Sequence, residues 1–183
     1  MANRYYTLKV AGVTRELPIL NVTKDLAIAG FIMLGDNELV DACARELAKK
    51  IPSEVDIILT AETKGIPLAA ELARQLGMKR FVVARKSIKA YMEHPIWVED
   101  VSITTKGVQK LCLNDPDIEL IRGSKVLLLD DVVSTGGSMA ALKELTAKAG
   151  GEVAAEACVL AEGDAANRKD IIFLEPLPLF PAQ

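Results

Sequence analysis

Residues 125–138, with the sequence KVLLLDDVVSTGGS, carry the strongest pattern in this chain. An apolar run ends in two adjacent carboxylates, Asp130 and Asp131. A short loop rich in hydroxyls and glycine follows, and a helical pattern begins at Met139. The segment therefore predicts a strand, a loop of the size that holds a phosphate, and a helix N-terminus. Acids beside such a loop indicate an enzyme that holds a phosphorylated sugar.

The composition limits the class of protein further. With 183 residues, half of them hydrophobic, the chain can bury the core of one domain spanning residues 1–183. A formal net charge of -3 argues against a nucleic-acid partner. Neither a membrane-spanning run nor a signal peptide is found in the sequence, so no membrane partner is expected. Three widely spaced cysteines favour reduced thiols and a cytoplasmic location.

Strands and helices are predicted to alternate along most of the chain. Predominantly apolar segments predict strands at 5–10, 55–60, 80–84, 125–130, 152–162 and 170–174, with an extended segment at 13–22. Apolar residues at helical spacing predict helices at 36–50, 66–76 and 138–150. A hairpin pairing 102–104 with 109–113 is also expected. This order indicates an α/β fold with a central, mostly parallel sheet flanked by helices, whose ligands bind beyond the carboxyl ends of the strands.

The loop that follows Asp130 and Asp131 suits a sugar phosphate for specific chemical reasons. Unpaired N–H groups and the dipole at a helix N-terminus attract a phosphate, and glycines allow its close approach. The two carboxylates can accept hydrogen bonds from vicinal hydroxyls or from a magnesium-bound water. The P-loop pattern and the dinucleotide pattern GxGxxG are both absent. The alternative is an ordinary glycine-rich turn. The presence of two acids together with four phosphate-compatible residues argues against it.

The whole segment resembles the phosphoribosyl diphosphate (PRPP) signature of type I phosphoribosyltransferases. That signature has an apolar strand, two acids, two variable residues, a small residue, Thr-Gly-Gly, and then Thr or Ser. The resemblance implies that the acids meet the ribose hydroxyls and that the loop wraps the 5′-phosphate. The residues thereby assigned to PRPP are Asp130, Asp131, Val132, Val133, Ser134, Thr135, Gly136, Gly137 and Ser138.

Two further loops are similar to the diphosphate-binding parts of the same family. The segment AETKG at 61–65 resembles the diphosphate loop, and the family's cis peptide would fall at the Glu62–Thr63 bond. The segment ARKSIK at 84–89 resembles a strand-end motif of adenine phosphoribosyltransferases. The resemblance assigns PRPP binding to Glu62, Thr63, Lys64, Gly65, Arg85, Lys86 and Lys89. It assigns catalytic roles to Asp130, Asp131, Lys64 and Arg85.

Two regions that face the base in the family depart from its pattern. The segment LPILNVTKDLA at 17–27 resembles part of the base-binding hood, placed at about 1–35, and assigns base binding to Val22, Thr23 and Lys24. Thr23 stands where adenine enzymes have an aromatic residue. The mobile lid is expected at 86–110, where Thr105 and Lys106 replace the family's Glu and Tyr.

The resemblance implies an activity as well as a fold. A purine phosphoribosyltransferase would transfer phosphoribosyl from PRPP to a purine base, with adenine expected, giving a nucleoside 5′-monophosphate and diphosphate. A xanthine or hypoxanthine/guanine enzyme and a PRPP-sensing regulatory protein remain alternatives. Mg²⁺ is the expected cofactor, held mainly by PRPP and water without a direct protein ligand. The family implies a homodimer, and His94 is interpreted as a surface histidine.

Overall fold

A five-stranded parallel sheet forms the centre of the molecule. The computed structural model describes residues 4–100 and 109–183. The sheet order is β10-β9-β8-β4-β5, and its strands are β4 (Ile57–Ala61), β5 (Val82–Ala84), β8 (Lys125–Val133), β9 (Glu152–Glu162) and β10 (Glu175–Leu177). All five residues of β4 are buried, because helices cover both faces of the sheet. The predicted α/β fold with a parallel sheet is confirmed.

In the part of the chain that the structure describes, four α-helices lie in two layers, one on each face of this sheet. They are α1 (Asn37–Ala48), α2 (Ile66–Gln75), α3 (Asp115–Ile121) and α4 (Gly137–Ala149). The apolar faces of α1 and α2 pack on one side around Leu127 and Leu129. Those of α3 and α4 pack on the other side around Val126 and Leu128. Alternate residues of β8 therefore support opposite layers, as the two-residue period of a strand requires.

A second, antiparallel sheet lies beside the first. Its order is β1-β2-β3-β11, with β1 (Tyr5–Val10), β2 (Val13–Asn21), β3 (Leu26–Ala29) and β11 (Phe180–Pro181). Residues Leu8, Leu17 and Ala29 of this sheet join the core on the side of α1 and α2. Because β11 pairs with β3, residues near both ends of the chain meet in one sheet.

A two-stranded hairpin corrects one prediction. Strands β6 (Ile96–Asp100) and β7 (Gln109–Leu113) pair antiparallel. The expected strand at 109–113 is confirmed, but its partner is Ile96–Asp100, while 102–104 lies outside the described residues. The hairpin is held against α4, where Lys148 Nζ donates to the Trp97 carbonyl at 3.1 Å.

The predicted strand at 170–174 is wrong. Only Ile172 makes a bridge there, to Ala157, and the strand that extends the sheet is β10, at Glu175–Leu177. Side chains at 171 and 173 pack in one core layer and those at 172 and 174 in the other. The apolar run thus reflects packing at the sheet edge. A 3₁₀-helix at Gly163–Asn167 precedes this segment.

Strands β3 and β11 and helix α3 were not anticipated as separate elements. In the described ranges, none of the helices combines the length and apolarity needed to span a bilayer.

Candidate active site

A cavity of about 670 Å³ opens at the carboxyl ends of β4 and β8, between the parallel sheet and the antiparallel sheet. This edge of a parallel sheet is where ligands of α/β proteins bind. The cavity brings together most of the residues selected from the sequence: Val22, Glu62, Thr63, Lys64, Lys86 and the unbroken run 130–138. Loops that lie some 70 residues apart in sequence therefore line one site.

The loop after β8 leaves the amides of a helix N-terminus available to a ligand. Helix α4 begins at Gly137, and no side chain among the described residues caps it. Its first-turn N–H groups thus lack the partner that a capping residue supplies. Gly136 has φ +85°, a conformation that glycine adopts without steric cost. A Cβ on Gly136 would also lie 3.3 Å from Arg168 Nη1.

The two carboxylates at the end of β8 differ in environment. Only 3% of the Asp131 side chain is exposed, and Asp130 Oδ1 accepts the Asp131 backbone N–H at 2.9 Å. Burial, together with the adjacent Asp131 charge, raises the pKa of Asp130 well above its usual range. The site therefore favours the protonated form of Asp130 beside a buried neighbouring carboxyl group.

Lys64 links the loop after β4 to the end of β8. Its Nζ lies 3.0 Å from Asp131 Oδ2, although the angles are not those of a hydrogen bond, and Asp131 Oδ2 has no hydrogen-bond partner within the described ranges. The Lys64 side chain is half-exposed. A cation and a buried carboxylate thus share the floor of the cavity.

Glu62 organises two loops through its side chain. One oxygen accepts from Arg85 Nε at 3.1 Å and the other from the Lys86 backbone N–H at 2.8 Å. The Lys86 amide, opposed in part by desolvation and aided by the Arg85 charge, lowers the pKa of Glu62. The expected cis peptide at Glu62–Thr63 is present. The Glu62 carboxylate is therefore engaged with neighbouring protein groups and holds the basic segment at the end of β5.

Gly65 permits close packing at the same loop. A Cβ at this position would lie 2.3 Å from Thr60 Oγ1 and 3.6 Å from Asp130 Oδ1. Thr60 is fully buried, so it cannot move aside into solvent. Gly65 does not line the cavity itself, but it allows the loop to pass directly over the end of β4.

The basic residues of the segment at 84–89 divide into two groups. Lys86 lines the cavity, whereas Arg85 and Lys89 do not. Besides Glu62, Arg85 contacts Tyr91, whose hydroxyl accepts from Nη1 at 3.2 Å. The backbone of Arg85 pairs with that of Cys112 in the hairpin. Arg85 therefore lies behind the cavity wall in this conformation.

The other half of the cavity is apolar, and sequence reasoning identified only part of it. Val22 lines it, while Thr23 and Lys24 are exposed and do not. Thr23 Oγ1 instead accepts the Leu26 N–H at 3.0 Å, closing a turn. Lining residues that the sequence analysis did not assign come from β3, β9, β10, α4 and adjoining segments, and they include Leu26, Ile28, Phe31, Met139, Glu162, Leu177 and Leu179.

The donor atoms suit a cation that a substrate helps to hold. Among the described residues, no group of three His, Cys, Asp or Glu side chains converges as a metal site. The carboxylates of Asp130 and Asp131 provide oxygen atoms of the kind that Mg²⁺ prefers, and within the described ranges the buried Asp131 Oδ2 accepts no hydrogen bond. His94, with 82% of its side chain exposed, lies beside Asp115 and outside the cavity.

The fold and this site define a family. The sequence pattern of the phosphoribosyl transferase domain matches residues 33–177. The chain belongs to the phosphoribosyltransferase family, as the signature at 125–138 indicated.

Similarity to individual proteins extends over most of the chain. A hypoxanthine/guanine phosphoribosyltransferase of Methanococcus voltae is 31% identical over 141 residues, which are 77% of this chain and 71% of that protein. The adenine phosphoribosyltransferase structure from Thermoanaerobacter pseudethanolicus has a TM-score of 0.65 and 26% identity, covering 79% of this chain and 84% of that one. The corresponding structure from Rhodothermus marinus, at 23% identity, has a TM-score of 0.65 and covers 94% of each chain. The last comparison concerns the fold alone.

Proposed function

We propose that this protein transfers the phosphoribosyl group of PRPP to a purine base. The observation that carries the proposal is the single cavity of about 670 Å³ in which Asp130, Asp131 and the loop 134–138 face the loop after β4. PRPP has a phosphate at one end and a diphosphate at the other, with two ribose hydroxyls between them. The uncapped α4 N-terminus suits the phosphate, the acids suit the hydroxyls, and Lys64 and Lys86 suit the diphosphate.

The roles of individual residues follow from this placement. The backbone N–H groups of Thr135–Ser138 bind the 5′-phosphate, and the hydroxyls of Ser134, Thr135 and Ser138 add donors. Val132 and Val133 bring the chain from the acids to this loop. Thr63 and Lys64 face the diphosphate, while Glu62 and Gly65 shape their loop. Arg85 and Lys89 lie outside the cavity wall and reach PRPP only if their side chains reorient.

The reaction exchanges one bond at the sugar C1 carbon for another. The bond between C1 and the diphosphate oxygen breaks, and diphosphate leaves with the electron pair. A lone pair of a base nitrogen forms the new C1–N bond, and the proton on that ring leaves to solvent or to a nearby base. Lys64 and loop amides stabilise the charge that develops on diphosphate. The apolar walls hold the base in line and exclude water, which would otherwise hydrolyse PRPP.

Mg²⁺ is the proposed cofactor. Asp130 and Asp131 would hold it through water molecules, with PRPP oxygens as the principal ligands, since two carboxylates do not form a complete protein cage. When bound, the ion supplies charge neutralisation for the leaving diphosphate.

Adenine remains the proposed base, with hypoxanthine/guanine or xanthine as the alternative. The solved structures described above are named as adenine enzymes, whereas the curated relative is named as a hypoxanthine/guanine enzyme. The apolar half of the cavity, from Phe31 to Leu179, fits a planar purine but does not distinguish among them. A PRPP-sensing regulatory protein is the second candidate, because the family's Glu and Tyr are replaced by Thr105 and Lys106. Both positions lie outside the described residues.

We further propose that residues 1–183 act as one domain, with residues 1–35 as the base-binding hood and 86–110 as the lid. Strand β3 contributes Leu26 and Ile28 to the cavity, and the adjoining segments contribute Val22 and Phe31, which supports the first assignment. A homodimer is part of the proposal by family resemblance, and the exposed apolar side chains of Ile32 and Leu34 offer surface for it. The free, buried thiols of the three cysteines suit a cytoplasmic location.

One assay tests the proposal directly. The protein is incubated with PRPP, Mg²⁺ and, in turn, adenine, hypoxanthine, guanine and xanthine, and diphosphate release is measured. Release that depends on one base supports a transferase and identifies its acceptor. PRPP binding without release for any base supports the sensor. The absence of PRPP binding would refute both.

A second experiment tests the site. The double variant Asp131→Asn, Thr135→Ala is expected to weaken PRPP binding by about 100-fold, because charge-assisted and loop hydrogen bonds are lost together. A matched control, Asp164→Asn with Thr14→Ala, changes the same residue types away from the cavity lining. Unchanged PRPP affinity in a folded Asp131→Asn, Thr135→Ala variant would contradict the assigned site.

A further inference from the structure

We propose that Arg168 is a positioning residue for the phosphate loop, holding Gly136 so that the amides at the start of α4 converge on the 5′-phosphate. This inference rests on the proposed function. It concerns a residue outside every motif found in the sequence. Arg168 comes directly after the 3₁₀-helix at Gly163–Asn167, which itself follows β9.

Arg168 lies beside the loop. Its Nη1 lies 3.3 Å from the point that a Cβ on Gly136 would occupy. Gly136 immediately precedes the first residue of α4 and has φ +85°. The guanidinium thus lies next to the left-handed residue at which the chain enters the helix.

The guanidinium is itself held in place from the opposite side. Its Nε donates to Asp170 Oδ1 at 2.9 Å and its Nη2 to Asp170 Oδ2 at 2.7 Å. Nη2 also donates to Glu156 Oε2 at 3.4 Å. A bidentate carboxylate fixes both the position and the plane of an arginine. Nη1 is consequently directed at the loop.

Glu156 extends this arrangement to the helix. Only 7% of its side chain is exposed, and its Oε1 lies 2.6 Å from Nζ of Lys143, which is on α4. Glu156 therefore joins Arg168 to α4 from a buried position on β9. The loop is restrained at Gly136 by the guanidinium and beyond it by the same carboxylate through Lys143.

Arg168 does not line the cavity, so it acts on PRPP through the loop. Loss of the side chain should loosen the amides that meet the 5′-phosphate and leave the loop after β4 unaltered. The effect should therefore be confined to one end of PRPP. General damage to the fold would weaken both ends.

The test compares two probes that report on the two ends. Ribose 5-phosphate and inorganic diphosphate, each with Mg²⁺, are titrated calorimetrically into the full chain and into Arg168→Met. We expect ribose 5-phosphate to bind about tenfold more weakly to the variant, the effect of losing roughly one hydrogen bond between the loop and the phosphate. Diphosphate binding should be unchanged. In turnover, KM for PRPP should rise while kcat is retained, and Arg168→Lys should recover part of the affinity.

Arg122→Met provides a matched control. Arg122 lies beside Gly150, the left-handed residue at the other end of α4, and pairs with Glu119. It is expected to leave both affinities unchanged. If Arg168→Met fails to fold by circular dichroism, Asp170→Asn tests the same point, because it keeps the arginine charge and removes the bidentate contact. Weaker ribose 5-phosphate binding supports positioning, whereas unchanged or tighter binding overturns it.

Two other outcomes distinguish a failure of the proposed function from a failure of the role of Arg168. If the unaltered protein binds neither probe, the proposed function fails. Suppose instead that the unaltered protein binds both probes. If Arg168→Met then binds both with unchanged affinity, or with equally reduced affinity, the role of Arg168 fails while the proposed function stands.

Discussion

Lys64 and Asp131 form an ion pair across the floor of the cavity, with Nζ 3.0 Å from Oδ2. Lys64 belongs to the loop after β4 and Asp131 to the end of β8. The Asp131 side chain is 3% exposed and the Lys64 side chain 48% exposed. This pair couples the proposed diphosphate loop to the proposed ribose site.

The ion pair predicts a measurable coupling of stability. Lys64→Met leaves Asp131 buried without its cation, and Asp131→Asn leaves Lys64 without its anion. Each single variant already loses the interaction. The free energy of unfolding should therefore fall less in the double variant than the sum of the two single-variant losses, by roughly 1 kcal/mol for a partly exposed pair. Urea unfolding of the four proteins measures this coupling.

The control for this cycle is the exposed pair of Lys49 and Glu46, separated by 2.6 Å on the surface of α1. Its coupling should be smaller, because both side chains are well solvated. Strict additivity of Lys64→Met and Asp131→Asn would show that the two residues do not interact in solution.

The environment of Asp130 predicts a pH-dependent effect of one substitution. Burial and the neighbouring Asp131 raise the pKa of Asp130, so the folded protein binds this proton more tightly than the unfolded chain does. The stabilisation is fully present below the pKa of an unfolded aspartate and is lost as the pH rises through the raised value. Asp130→Asn, which cannot ionise, should escape that loss.

Thermal unfolding across pH 4 to 9 provides the measurement. Asp130→Asn should resemble the unaltered protein at the acidic end and become more stable than it at the alkaline end, by about 1.4 kcal/mol for each unit of pKa shift. The control is Asp25→Asn, which alters an exposed aspartate of the N-terminal sheet region. A stability difference that does not vary with pH would contradict this account of Asp130.

The close packing of Gly65 and Thr60 predicts that one substitution can restore stability that another removes. The Cβ introduced by Gly65→Ala would lie 2.3 Å from Thr60 Oγ1, and overpacking of this kind costs about 1–3 kcal/mol. PRPP binding should weaken as well, because the displaced loop carries Lys64. Thr60→Ala removes the obstructing hydroxyl, which has no hydrogen-bond partner in the described part of the chain.

The double variant Thr60→Ala, Gly65→Ala should therefore be more stable than Gly65→Ala alone, as measured by urea unfolding. Gly77→Ala is a useful comparison, since its Cβ would meet nothing within 4 Å and only the φ of +70° opposes it. If Thr60→Ala gives no recovery, the steric explanation is wrong.

The position of Phe31 predicts that its substitution changes KM for the base but not KM for PRPP. It is 5% exposed, packs in the core beside α1 and lines the apolar half of the cavity. Phe31→Leu should raise KM for the base severalfold through lost ring contact, with KM for PRPP unchanged. Steady-state kinetics with each substrate varied in turn measures the split.

Phe180→Leu controls for the loss of an aromatic residue, because Phe180 packs on Tyr6 and does not line the cavity. It should leave both KM values unchanged. An equal rise of both KM values in Phe31→Leu would indicate that Phe31 supports the fold without contacting the base.

The local parts of the site could be read from the sequence. The sequence at 125–138 contains its own strand, acids, glycines and helix start, and each of these depends on neighbouring residues. The structure gives β8 at Lys125–Val133 and α4 from Gly137. The loop at 61–65 was likewise found by its position between a strand and a helix.

Pairing between distant segments was less accessible. The strand at 109–113 was found, but its partner at Ile96–Asp100 follows Pro95 in an irregular, charged stretch that gives no clear alternation. The apolar run at 170–174 was taken for a strand because burial at a sheet edge and burial within a strand give the same composition.

The sequence by itself determined the phosphate loop, the adjacent acids and the α/β order, because backbone conformation and periodicity are local properties. Tertiary structure alone decided that Lys64 meets Asp131, that Arg168 lies beside Gly136, and that Phe31 and Leu177 face one cavity. These contacts join residues up to about 150 positions apart, and they form only when the two sheets and the helices close around a common core.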